Sequence, residues 1–199
     1  MQPEEVLSFW FGELDAEGFA DAAHRKQWWV KDPAFDAEIR RRFLGIYDDL
    51  RHGKHASAWQ KEARSALAAI IVLDQFPRNM FRGTARMYES DALVQDRAEA
   101  LLDASLDDGL PVDMKVFAAM PLMHSEALPR QERCVAYFEA LVAKLDGEAR
   151  ERVAFNLKFA EQHRDIVAQW GRFPHRNALL DRPSTPEELA FLQTEGSSF

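Results

Sequence analysis

Hydrophobic residues recur at three- and four-residue spacing along nearly the whole chain, the pattern of amphipathic helices. Pro3, Glu4 and Glu5 suit a first helical turn, with Val6, Leu7, Phe9, Trp10 and Phe11 behind them and Gly12 placed to stop it. A second helix carries Trp28 and Trp29 and ends near Lys31. Asp32-Pro33 is a restart, Asp as N-cap and Pro as first helical residue. Phe35, Ile39, Phe43, Ile46 or Tyr47, and Leu50 then form one stripe, Arg40, Arg41 and Arg42 read as a solvated face, and Gly53 is the expected C-cap. From Ser57 to Phe76 the second half is apolar nearly all round, which predicts a central, buried helix ended by Pro77. Ile70-Ile71-Val72 also fits a short strand, but alanines precede it and no second strand run exists to pair with it.

Further helices are predicted over 90–106, 113–123, 129–145 and 148–170, with Gly109, Gly147 and Gly171 as C-caps. Thr185-Pro186-Glu187-Glu188 is a capping box that opens a short last helix. The tail over 193–199 is expected to fray, with Phe199 as the residue able to dock. The expected architecture is all-α, a single domain over 1–199 built as an array of helical hairpins, with about nine to eleven helices.

Composition narrows the class. The chain has 199 residues, 47% hydrophobic and 29% charged, enough for a core without staples and unlike a disordered chain. Its lone cysteine, Cys134, forms no internal disulfide and reads as a small core residue beside Tyr137, Phe138 and Leu141. The net charge of −8 argues against a nucleic-acid surface. No apolar run is long enough to span a bilayer, and Met1-Gln2-Pro3-Glu4-Glu5 lacks a basic leader segment. A cytoplasmic protein is the resulting expectation; the oligomeric state stays open.

Two segments depart from the amphipathic background. One is Leu73-Asp74-Gln75-Phe76-Pro77-Arg78-Asn79-Met80-Phe81-Arg82-Gly83; the other runs from His163-Arg164-Asp165 to Arg172-Phe173-Pro174-His175-Arg176-Asn177. Both follow a long helix and then read Phe-Pro-(His)-Arg-Asn, where Pro stops a helix and Asn tolerates a left-handed backbone. Either they share turn chemistry with no common purpose, or two equivalent helix ends present Arg-Asn loops to one cavity. Pro121-Leu122-Met123-His124-Ser125-Glu126 places His and Glu at a third helix end.

With these strings in view, the chain resembles the bacterial DUF924 family of unknown function. The most specific pieces are Leu73 to Asn79 with Phe81-Arg82-Gly83, then Pro121 to Glu126. The third is Arg172 to Asn177 with Arg182-Pro183-Ser184-Thr185-Pro186-Glu187-Glu188. The resemblance runs from Val6 to the last helix. It implies a TPR-like all-helical fold and brings no established activity. One departure is Asp181, where the family pattern usually has Gly.

Several chemistries remain open. His124, Glu126, His163 and Asp74 suit a divalent metal if they converge, but no His-Glu-x-x-His motif or Cys/His cluster occurs, so no metal and no cofactor are expected. Ser125 beside His124 lacks a nucleophile elbow. Acid–base catalysis by His124, Glu126, Asp74 or His163 is a second alternative. Arg78, Asn79, Arg82, Arg172, His175, Arg176 and Asn177, with Arg182 nearby, suit a small phosphate- or carboxylate-bearing ligand, since Arg forks bind such anions bidentately. The opposing reading pairs these arginines internally with Asp74, Glu89, Asp91 or Glu126. A helix-array groove for an acidic peptide is the first alternative to a small ligand. A pocket of Trp28, Trp29, Phe81 and Tyr88 would separate the two.

Overall fold

The computed structural model describes residues 1–55 and 57–198, so the contact anticipated for Phe199 lies outside the described residues. The chain is all-α. Its helices are α1 (Pro3–Phe11), α2 (Ala22–Trp29), α3 (Pro33–Arg51), α4 (Ala63–Ile70), α5 (Phe76–Met80), α6 (Asp91–Asp103), α7 (Val112–Met123), α8 (Leu128–Ala143), α9 (Gly147–Trp170) and α10 (Pro186–Phe191). A π-helical turn over Ile71–Gln75 joins α4 to α5, and 3₁₀ turns occupy Ala85–Tyr88 and Pro174–Arg176. No strand occurs among the described residues.

The caps act as their chemistry predicts. The Asp32 carboxylate accepts from the N–H groups of Ala34 and Phe35, satisfying donors that the first turn of α3 leaves open. Thr185 and Glu188 close a reciprocal capping box on α10. Gly171 ends α9 in the left-handed conformation at φ 67°, its N–H donating to the Val167 carbonyl. Two of the other expected glycine caps, Gly109 and Gly147, are corrected. Ser105 (φ 52°) takes the left-handed position after α6, and the Leu106 N–H reaches back to the Leu101 carbonyl, so Gly109 is left in the following turn. Gly147 opens α9 instead of closing α8, because the chain has already turned extended at Asp146.

The chain divides into two compact units, Met1–Arg82 with Arg86–Pro121, and Gly83–Ala85 with the chain from Leu122 onward. In the first unit α4, the π turn and α5 form the central rod, against which α1, α3 and α6 pack. Every residue from Ser65 to Pro77 is buried, as the all-round apolar pattern predicts. Around the rod lies an aromatic group in which Phe76 meets Phe43 at 4.6 Å and Trp10 at 5.7 Å. Trp28 packs on Phe117 at 4.8 Å and donates its indole N–H to the Trp10 carbonyl.

Pro77 does not end this rod. The helix begins at Ala63, later than expected, and continues through Pro77 to Met80. Pro77 lacks the N–H that would meet the Leu73 carbonyl four residues back. The π turn widens the helix there, with the Phe76 N–H reaching the Ile71 carbonyl, and the buried Ser90 hydroxyl donates to the Leu73 oxygen at 2.6 Å. The proline is thus accommodated by a partner outside its own helix. Ser90→Ala leaves a buried carbonyl unsatisfied and is expected to cost about 1–3 kcal/mol, measured by urea denaturation. An unchanged midpoint would mean that the π turn alone absorbs the proline.

In the second unit α8 and α9 pack along each other. Ile166 and Val167 of α9 form a core with Phe173, flanked by Leu128, Trp170 and Phe191. Cys134 on α8 is fully buried and burial pushes its thiol pKa up, so it behaves as a small core residue.

Candidate functional site

The predicted site residues fall into both units. In the first unit, α5 carries Arg78 and Asn79, and Arg82 follows it. The Arg78 guanidinium lies 3.3 Å from Asp74 and 3.1 Å from Asp91, and it also donates to the Asp74 carbonyl. Asp74 is fully buried and accepts from the Gln75 amide at 2.6 Å. Asn79 and Arg82 converge on a different carboxylate, Asp36 of α3: Asn79 donates at 2.8 Å, and Arg82 forks onto both oxygens at 2.8 and 2.9 Å. These side chains therefore tie α5 to α6 and α3, which matches the internal-pairing reading of the sequence. Asp36 was not anticipated; it sits on the polar side of α3, and no spacing links it to Arg82.

The second unit holds a larger network. Glu126, just after α7, accepts both guanidinium forks of Arg182, at 2.6 and 2.9 Å, and the Phe173 N–H at 2.8 Å. Burial raises the Glu126 carboxyl, but Arg182 and the Phe173 N–H outweigh that and hold its pKa below the usual range. Arg172 forks onto Glu188 of α10 at 2.7 and 2.8 Å. Asn177 donates to Ser184 and to Glu188, and its amide oxygen accepts from Arg182, joining the two ion pairs. Glu188 is buried; the Arg172 fork, then the Thr185 N–H, bring its pKa down to about 2. Its place in the capping box is legible from sequence, whereas its use as the anchor of Arg172 is not.

Beside this network, basic groups gather around the Phe173 ring. The Arg176 guanidinium lies over it at 4.5 Å, and the His163 and His175 rings each lie at 5.6 Å. His124 is 6.5 Å from His163, and its backbone carbonyl accepts from Arg176 at 3.0 Å. His163 donates Nδ1–H to the Phe159 carbonyl one turn back on α9, at 2.7 Å. Burial lowers the His163 pKa to about 3, helped by repulsion from His124, Arg176 and His175 and opposed by the Phe159 carbonyl. Burial and Arg176 likewise lower His175 to about 4.

The two Phe-Pro-Arg-Asn segments do not share a turn. Phe76-Pro77-Arg78-Asn79 is continuous helix, whereas Phe173 follows the left-handed Gly171 in extended conformation and Pro174 opens a 3₁₀ turn. The glycine before the second segment is what separates them. Asp181, the departure from the family pattern, has φ 52°, a conformation favouring glycine. Asp181→Gly is expected to raise stability by up to about 1 kcal/mol and Asp181→Val to lower it, read from chemical denaturation midpoints. A lowered midpoint for the Gly variant would mean that the Asp side chain matters more than the strain.

Of the residues of the anticipated aromatic pocket, Trp28 packs on Phe117 and Phe81 packs on Tyr47. Among the described residues no three His, Cys, Asp or Glu side chains are grouped to hold a metal ion. A cleft of about 520 Å³ in the first unit, lined by Pro3, Glu4, Arg64 and Leu110, contains none of the predicted site residues. No helix is long and apolar enough to cross a membrane.

The fold and these networks define an all-helical protein whose polar clusters lie at helix ends. Its family is shown by sequence. Residues 6–196 match the model for a bacterial protein of unknown function, DUF924, and the chain belongs to that family. It is similar to the protein of unknown function ATU0120 from Agrobacterium tumefaciens, with 34% identity and a TM-score of 0.81 over 96% of each chain. No curated protein matches the chain.

Proposed function

We propose that the second unit binds a small oxyanion, a free metabolite bearing phosphate or carboxylate, at the basic cluster around Phe173. The observation that carries this reading is the crowding of Arg176, His163 and His175 on one buried ring, with His124 adjoining. Arg176 carries the charge of the cluster while burial keeps His163 and His175 neutral, and an anion bound beside Arg176 would favour protonation of the imidazoles. Arg176 and His175 supply the primary donors in this reading, and His124 and His163 add charge when protonated. Arg172, Asn177 and Arg182, held by Glu188 and Glu126, set the frame. Arg78, Asn79 and Arg82 are assigned to holding α5 through Asp91 and Asp36.

A thermal-shift series with inorganic phosphate, phosphorylated metabolites, dicarboxylates and acidic peptides tests the proposal. At ligand about 100 times its Kd, linkage adds about 2.7 kcal/mol. For a chain of this size that raises Tm by about 5–10 °C. Arg176→Gln should abolish the shift and Arg82→Gln should leave it. Shifts from peptides alone would replace the small ligand with a peptide-binding module. Slow conversion of a hit would add acid–base catalysis by His124 and Glu126. No shift with any anion, or an equal shift in Arg176→Gln, would overturn the proposal.

A further inference from the structure

The chain beyond α10 runs back onto the basic cluster of the second unit. By sequence 193–199 is expected to fray, and residues 193–196 and 198 are exposed, but Ser197 between them is only 5% exposed. The helix gives this segment a fixed root: Phe191 packs on Trp170 at 5.5 Å, and its carbonyl accepts from the Thr194 hydroxyl at 2.7 Å. Gly196 then turns the chain at φ 76°, a left-handed conformation that glycine adopts freely. That turn brings Ser197 back, so that its hydroxyl donates to the Leu192 carbonyl at 3.3 Å. The Ser197 backbone also meets the His175 imidazole, in a hydrogen bond that favours the charged ring. The Ser197 carbonyl is therefore the acceptor and His175 the donor.

We infer that the segment 193–198 is an autoinhibitory strap, in which the Ser197 carbonyl takes the His175 donor that an oxyanion would use and the site opens when the strap lifts. The inference rests on the anion-binding reading above and adds its regulation. Arg176 and His163 are each 6% exposed, so a ligand reaches the basic cluster only after part of the unit moves. The helices around the cluster are tied down by the Phe173 core and by the Glu126 and Glu188 ion pairs. Ser197 is held through its bond to His175 and a long bond to Leu192. Segments with so few buried contacts open first. The chemistry agrees: a carbonyl oxygen on His175 is a neutral stand-in for one oxygen of a phosphate or carboxylate. Strap and anion thus compete for one N–H, and a strap open about a tenth of the time weakens the apparent affinity about tenfold.

The test uses the full chain, as wild type and as Gly196→Val, with inorganic phosphate as probe. A branched side chain disfavours φ 76°, and the added Cβ meets open space, so the substitution undoes the turn without touching the cluster. Hydrogen exchange over 193–198 should be faster in Gly196→Val than in wild type. In wild type it should speed up on saturation with phosphate, which displaces the strap. By calorimetric titration, phosphate should bind Gly196→Val about tenfold more tightly. Equal phosphate affinity in the two chains, with exchange faster in the variant, would overturn the strap and leave the anion site standing. Unchanged exchange in Gly196→Val would overturn the strap as well. Absence of phosphate binding in both chains would remove the anion site itself, and the regulation with it.

Discussion

Acidification from about pH 6.5 to about pH 4 should cost this protein roughly 3 kcal/mol through His163 alone, at about 1.4 kcal/mol per pH unit. The unfolded chain protonates His163 below its ordinary pKa of 6.5, whereas the native fold refuses the proton until about pH 3. The native state is therefore unpenalised above pH 6.5 and loses stability as pH falls below it. His175, held at about 4 by burial and by Arg176, adds to the same loss over pH 6.5 to 4. Glu188 extends it: its carboxylate resists protonation down to about 2 while the unfolded chain takes the proton near 4.5. Around His163 stand the Phe159 carbonyl, which favours the charged imidazole, and His124, Arg176 and His175, which oppose it.

The measurement is urea denaturation as a function of pH, in wild type and in His163→Gln, which retains a donor for the Phe159 carbonyl. The variant should lose about 1.4 kcal/mol per pH unit of the wild-type slope between pH 6.5 and 4. Parallel pH profiles for the two proteins would show that His163 is protonated in the native state and that the buried-neutral account is wrong.

Phe173→Ala should destabilise the second unit by about 3–5 kcal/mol, the range for a large buried aromatic truncated to alanine. Phe173 is fully buried, packs with Ile166 and Val167, and separates the basic groups around it. Its backbone N–H and carbonyl are held by Glu126 and Arg182, contacts that survive the substitution. The lost energy thus comes from the ring. Opening the cavity to water should also raise the His163 pKa toward 6.5, visible by NMR titration of the imidazole. Arg82→Ala is the contrasting case: the Arg82 side chain that pairs with Asp36 is about a third exposed, and solvent-exposed pairs contribute within about 1 kcal/mol. Comparable losses in the two variants would mean that packing on Phe173 is not what holds the region together.

Much of the fold is legible in local sequence because its causes are local. The Asp32-Pro33 start, the Gly171 stop and the Thr185–Glu188 box each rely on hydrogen bonds that span a few residues. The failures have the opposite character. Pro77 reads as a helix end by every local rule. It sits inside a helix because a π turn forms there and because Ser90, distant in sequence, satisfies the Leu73 carbonyl. The two Phe-Pro-Arg-Asn strings look equivalent as text and differ as structure, since glycine precedes only the second.

The polar residues divide in the same way. The sequence by itself determined the helical periodicity, most helix limits, the caps at Asp32, Gly171 and Thr185, and the strings that place the chain in its family, because each depends on side chains a turn or two apart. It also marked Asp74, Arg78, Arg82, His124, Glu126, Arg172, His175, Arg176 and Asn177 as polar groups at helix ends. Partners were decided by the tertiary structure alone. Arg82 meets Asp36 and Arg182 meets Glu126 across separations of 46 and 56 residues, and Arg172 meets Glu188 across 16. Which carboxylate a guanidinium finds depends on how helices pack, and packing is driven by apolar burial that is indifferent to those charges.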